Sequence, residues 1–292
     1  MKHTLISLLL LLTIFLPGNA QLLYKVTGAD LSSPAYIFGT HHLAPLSVID
    51  SVAPLQPLFD EADTLIGEVD LLSDPFGLAT LLQQAMTAPA DSTLTRILDK
   101  EEYKAVERLI KRYAPMPGMS VEMLDNLKPM AVASILTVGI MSENLPDGIP
   151  DTNLDTYLQQ EARSAGKAFI PLESPEEQAT LLYGMNIADQ KLQLVKLAED
   201  PEGSAADAAA INNAYFSGNL DELYALARAN EADNEFYDRM LITRNRQWAD
   251  ILPEMMRNGK CFIAVGALHL PGHDGLLSLL RQAGYSVAPV KK

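Results

Sequence analysis

Cys261-Phe262-Ile263-Ala264-Val265-Gly266-Ala267-Leu268-His269, followed by Gly275-Leu276-Leu277-Ser278-Leu279-Leu280 and closed by Gly284-Tyr285-Ser286-Val287-Ala288-Pro289-Val290, is the stretch that decides the fold. The run from Cys261 to Val265 is apolar without alternation, as in a strand buried on both faces. Gly266 to His269 reads as a turn. Residues 275–283 carry a helix stopped by Gly284, and 285–290 read as a last strand. Strand, turn, helix, strand is the grammar of a parallel or mixed sheet, and it places the chain in the α/β (α+β) class. The chain's single cysteine lies inside this first strand. It reads as a buried structural thiol, and an intrachain disulfide is impossible.

The same grammar appears upstream. Residues 22–26 and 35–38 read as two short strands joined by turn chemistry, a β-hairpin that runs straight into Gly39-Thr40-His41-His42. Residues 47–62 have a helical stripe weakened by Pro54 and Pro57. Thr64-Leu65-Ile66-Gly67-Glu68-Val69 reads as a buried strand ending in the acids Glu68 and Asp70. A large helical middle section of about residues 75–150 follows, with Asp99 as an N-cap and residues 130–141 apolar almost all round. Its methionines, Met116, Met119, Met123, Met130 and Met141, read first as core filling and second as an adaptable groove. Residues 154–165 form a helix closed by Gly166, and Ala168-Phe169-Ile170-Pro171-Leu172 a strand that ends at Glu173. Ser174-Pro175-Glu176-Glu177 restarts a helix with a capping box. Residues 199–210 are acidic and Ala-rich and read as a solvated turn or helix end. Residues 219–229 and 234–256 read as helices.

Length and charge bound the function. A chain of 292 residues with 48% hydrophobic content can bury a sizeable core. A formal net charge of −15 argues against nucleic-acid binding, because phosphates are repelled. Lys2, an apolar run over residues 5–16, and Pro17-Gly18-Asn19-Ala20 predict a secretory signal peptide, residues 1–20, cut after Ala20. The mature domain is then residues 21–292, exported to the periplasm or the medium. No stable membrane insertion is expected, since no later segment approaches spanning length. The oligomeric state is left open.

His42, Glu68, Glu173 and His269 each lie at or just past the end of an apolar strand. In α/β sheets ligands gather at the carboxyl ends of parallel strands, so neighbouring strands would bring the four together. Two imidazoles and two carboxylates make a site for a divalent metal ion such as Zn²⁺, Mn²⁺ or Co²⁺. Both histidines sit three residues after a glycine, which permits positive φ and close backbone approach where a strand turns sharply. His41 should point away from His42 in an extended chain and ranks second. His269 and His273 have helical spacing, but Pro271 and Gly272 between them oppose a helix. There is no G-x-S-x-G elbow, P-loop or G-x-G-x-x-G.

These residues resemble a known family. Tyr36-Ile37-Phe38-Gly39-Thr40-His41-His42 and Gly67-Glu68-Val69-Asp70 are similar to the opening of TraB/GumN proteins, relatives of the Tiki metalloproteases. So are Leu154-Asp155-Thr156-Tyr157-Leu158, Leu172-Glu173-Ser174-Pro175-Glu176-Glu177-Gln178, Arg244-Asn245 and Val265-Gly266-Ala267-Leu268-His269-Leu270-Pro271-Gly272. The resemblance implies a metal-dependent hydrolase with His42, His269, Glu68 and Glu173 in its site. It implies that Arg244 binds a carboxylate or stabilises a developing oxyanion. Two positions depart from the pattern: the residue before the first motif histidine is His41, and Ser174 stands where threonine is frequent.

The expected chemistry is peptide-bond hydrolysis by metal-bound water, on a peptide or protein substrate. His42, His269 and one glutamate hold the metal, and the other glutamate is general base. Which of Glu68 and Glu173 plays which part stays open. Two alternatives stand beside it: a metal-dependent esterase using the same residues, and a peptide-binding or sequestering protein without turnover.

Overall fold

Hydrophobic runs too apolar to alternate become the inner strands of one sheet. The computed structural model describes residues 21–291 except Asn144, Pro146, Asp147 and residues 230–236. The signal-peptide expectation, and the start of the helix expected at Asn234, lie outside the described residues. Six strands, β1 (Leu23–Thr27), β2 (Ala35–Thr40), β3 (Thr64–Gly67), β4 (Ala168–Pro171), β5 (Cys261–Gly266) and β6 (Ser286–Pro289), form a mixed sheet in the order β4-β3-β5-β2-β1-β6. The pairs β4/β3, β3/β5 and β5/β2 are parallel, whereas β1 pairs antiparallel with both β2 and β6. The expected hairpin is β1–β2.

Burial explains the order. β5 is central, and Cys261, Phe262, Ile263, Ala264 and Val265 are all buried. β4 is an edge strand, part-exposed along its length. Helices cover the sheet, and Phe262 packs edge-on against Phe59 at 5.4 Å and tilted against Phe38 at 6.5 Å. Trp248, from the helix Arg244–Met256, is fully buried in the same core.

A second hydrophobic core lies among helices. Lys100–Tyr113 contributes Val106, Leu109 and Ile110, Pro129–Ser142 contributes Val132, Leu136 and Ile140, and Ile187–Glu199 contributes Leu194 and Val195. Asp99 caps the first of these with Glu102 completing a capping box. Met119 and Met130 are buried in this core, while Met116 and Met123 are exposed. No helix among the described residues is long and apolar enough to cross a membrane.

Two local expectations are corrected, and one helix is added. The stretch 199–210, expected to be a solvated turn or helix end, closes one helix at Glu199 and then enters a 16-residue helix, Pro201–Phe216. Asp200 caps it by accepting from the Gly203 amide, Pro201 stands in the first turn, and the alanines favour helix strongly. The helix expected over 47–62 is split into Ser47–Ser51 and Leu55–Glu61, with Pro54 at the break. The helix Ile187–Glu199, with Asn186 as its N-cap, was not foreseen.

Candidate active site

The four strand-end residues sit at the carboxyl ends of four adjacent parallel strands. In sheet order they are Glu173 after β4, Glu68 after β3, His269 after β5 and His42 after β2. Glu173 extends the β3–β4 pairing, its amide donating to the Glu68 carbonyl at 2.9 Å. The two motif glycines serve by close approach. Neither is among the glycines with positive φ, which corrects that part of the expectation. A Cβ at Gly39 would stand 3.0 Å from Cα of Ala267, and one at Gly266 would stand 3.3 Å from Oε1 of Glu68.

Arg244 occupies the middle of the site. A π-helical stretch, Asp238–Thr243, leads into its helix, a distortion often found at functional sites. The side chain is buried, stacked 4.4 Å over Trp248. Nε donates to Oε2 of Glu173 at 2.9 Å and Nη2 to Oε1 of Glu173 at 2.6 Å, a bidentate pair. Nη2 also donates to Oε2 of Glu68 at 2.6 Å. Nη1 donates to the Met240 carbonyl and to Nε2 of His269, each at 3.1 Å. A guanidinium has five N–H donors, and these contacts use every one. The carboxylates that Arg244 binds are the protein's own Glu68 and Glu173, and stabilising a developing oxyanion would require it to break one of these bonds.

The arginine settles the His269 tautomer. A guanidinium cannot accept, so Nε2 of His269 is the acceptor and Nδ1 carries the proton, donated to Oδ1 of Asn245 at 2.6 Å. Burial, together with the charges of Arg244 and His42, pushes this imidazole down to about 3 against the pull of Glu68, so it is neutral at neutral pH. Burial alone would raise the Glu68 carboxyl. The positive groups around it, His269 when protonated, then Arg244 and His42, together with the Gly266 amide at 2.7 Å, hold it at about 2.

His42 stands at the mouth, its side chain 69% exposed. Nδ1 is 2.9 Å from Oδ2 of Asp155, whose other oxygen accepts from the Thr40 hydroxyl at 2.9 Å. The hydrogen bond to Asp155 raises the imidazole to about 9 against desolvation, so His42 is charged at neutral pH. His41 turns away and stacks on Tyr215 with ring centroids 4.9 Å apart.

Asp155 and Asn245 are the partners that sequence reasoning left without a role. Asn153 caps the helix Leu154–Ser164, which sets Asp155 in its first turn, and Asn245 follows Arg244 directly. Both stand in stretches already marked by the family resemblance, the one signal available for them.

Two pockets meet at this floor, with volumes of about 450 and about 580 Å³. They share His42, Glu68, Ser134, Met240 and Arg244. One runs under Leu71, Phe169 and Leu182. The other runs along Met130, Met141 and Ile211. Cys261, buried in β5, takes no part.

The donors fit a divalent ion in kind. Asp155 and Asn245 engage Nδ1 of His42 and of His269, as outer partners of metal-bound histidines do, while Nε2 of His269 is taken by Arg244. Oε1 of Glu68 lies 3.8 Å from Nε2 of His269. Glu173 is committed to Arg244 through both oxygens. Among the described residues no group of three or more His, Cys, Asp or Glu side chains is placed to hold a metal. The resident cation is the guanidinium.

The profile of the TraB/PrgY/gumN family matches residues 22–289. The chain is 24% identical over 303 residues to Metalloprotease TIKI2 of Xenopus tropicalis, covering 87% of this chain and 57% of that protein. It is 23% identical over 307 residues to Metalloprotease TIKI1 of the same organism, covering 87% and 59%. Thus the chain spans less than two thirds of these relatives. It is also 24% identical over 269 residues to the uncharacterized protein YbaP of Escherichia coli (strain K12), covering 92% and 90%. No solved structure matches.

Proposed function

Because this chain belongs to the TraB/PrgY/gumN family, matched over residues 22–289, we propose from its site that it is a metal-dependent hydrolase of peptide bonds. The observation that carries the reading is the placing of His42, Glu68, Glu173 and His269 at the ends of four adjacent parallel strands, with His42 and Glu68 on the floor where two pockets join and His269 lining one of them. The Tiki relatives, named metalloproteases, support the choice of bond.

His42, His269 and Glu68 are the residues that would hold the ion, a Zn²⁺, Mn²⁺ or Co²⁺. When bound there, such an ion acidifies a water and polarises a carbonyl. Lone-pair bookkeeping separates the glutamates. Oε1 of Glu173 accepts from both Arg244 and Gln178, whereas Oε2 accepts from Arg244 alone. Oε2 of Glu173 therefore keeps a lone pair for the proton of the attacking water, which it passes to the leaving amine. Glu68 keeps one on each oxygen for the ion. Arg244 and Gln178 hold Glu173 in place, and Asp155 orients His42. The apolar segment at residues 5–16 supports export, to the periplasm or the medium, as the setting.

Purified protein is tested for peptide cleavage with Mn²⁺, Co²⁺ or Zn²⁺ added, beside His42→Ala. Equal cleavage by the two proteins refutes the assignment. A panel of peptide and ester substrates separates peptidase from esterase. The methionine-lined pocket favours one further reading, a peptide-sequestering protein without turnover. That reading requires peptide binding that survives both metal removal and His269→Ala.

A further inference from the structure

Arg244 is tied to the acceptors that a metal would use. Its Nη1 takes the lone pair of His269 Nε2, and its Nη2 takes Oε2 of Glu68. The pairing is buried, with Arg244, Glu68 and Glu173 side chains no more than 10% exposed, so solvent cannot screen it. A guanidinium and a divalent ion sharing these acceptors repel each other at short range.

We infer that Arg244 is a built-in competitor of the metal, and that an ion enters only when the guanidinium releases His269 and Glu68. This rests on the metal-dependent reading above and adds a control on it. Glu173 provides the means of release. It grips Arg244 through Nε and Nη2, so the guanidinium keeps a bidentate carboxylate after giving up the other two acceptors. The Nη1 bond to the Met240 carbonyl ties the same movement to the π-helical stretch Asp238–Thr243. Substrate acting on that stretch would then change metal affinity without touching a ligand. Without Arg244, two buried carboxylates and an imidazole lone pair lose the guanidinium between them, and the ion becomes their counter-charge.

The test uses the full mature chain and one metal at a time, Mn²⁺, Co²⁺ or Zn²⁺. Binding is measured by titration calorimetry and by the shift of thermal midpoint at saturating ion, for wild type, Arg244→Met and Arg244→Lys. Arg244→Met is expected to bind at least about tenfold more tightly than wild type and to gain the larger thermal shift. Arg244→Lys, which keeps the charge but lacks the fork, falls between them. His269→Ala placed in Arg244→Met abolishes the gain, which locates the ion. Should Arg244→Met be unfolded without metal, refolding on addition of ion, followed by circular dichroism, supports the inference, and failure of every ion to refold it overturns it. Binding to Arg244→Met no tighter than to wild type overturns the competition while leaving the metal site standing. No binding to any of the three proteins removes the metal reading itself.

Discussion

Gly39→Ala separates the structural from the chemical use of the two Gly-x-x-His turns. A methyl group at this position would sit 2.9 Å from Cδ1 of Leu270, 3.0 Å from Cα of Ala267 and 3.1 Å from its Cβ. Leu270 is fully buried, and Ala267 opens the short 3₁₀ turn Ala267–His269, so neither can step aside freely. Either β2 moves off β5, or the turn carrying His269 is displaced. Overpacking of this kind costs about 1–3 kcal/mol. The lower chain entropy of unfolded alanine returns about 0.4–1 kcal/mol. The net expectation is a loss of about 0.5–2 kcal/mol, read as a lower urea midpoint with an unchanged slope. Gly266→Ala is the control, because its Cβ would meet only Oε1 of Glu68 at 3.3 Å and Cδ2 of His269 at 3.5 Å. Its cost in stability should stay within about 0.5 kcal/mol, and its effect should fall on metal binding and turnover instead. If Gly39→Ala is as stable as wild type, or Gly266→Ala is the more damaging, close packing is not why glycine stands at these turns.

Asp155→Asn removes the partner that raises His42, so an NMR titration of that imidazole should move from about 9 toward its ordinary value of 6.5. An unmoved titration would separate His42 from Asp155. The side chain's exposure keeps the effect on stability small. Acid should weaken the fold in two stages. His269 is held below its ordinary 6.5, at about 3, and Glu68 below 4.5, at about 2. Both groups thus contribute stability that is present above the ordinary value and lost as pH falls toward the lowered one. The urea midpoint should begin to drop below pH 6.5 and steepen below pH 4.5, and a flat profile down to pH 3 would contradict both assignments. Asn245→Leu strands the buried Nδ1–H of His269 and should cost about 1–3 kcal/mol in thermal or urea unfolding. A neutral result would mean that Asn245 does not set the tautomer.

Much of the sheet was legible because its signals are local. Unbroken apolar runs at Cys261–Gly266 and Thr64–Gly67 mark strands buried on both faces, and caps at Asp99 and Ser174 mark helix starts. Strand ends therefore pointed to His42, Glu68, Glu173 and His269 before any contact was known. The stretch after Glu199 misled because its acidic residues and alanines suit both a solvated turn and a helix. Packing decided between them, burying Ala208, Asn212, Ala214 and Tyr215.

What the chain order alone determines is which residues finish each strand, and hence which side chains are candidates for one site. Only the tertiary structure decided what lies between them. Arg244 stands 176 residues from Glu68 and 71 from Glu173, and Asp155 stands 113 from His42, separations that no periodicity or spacing rule reaches. Buried charge is the physical reason these pairings form. Once the sheet takes Glu68 and Glu173 out of water, each needs a compensating cation, and the fold supplies one guanidinium to both. A site expected to gather two imidazoles and two carboxylates about a metal is thereby built around an arginine, with His269 neutral beside it and His42 charged at the rim.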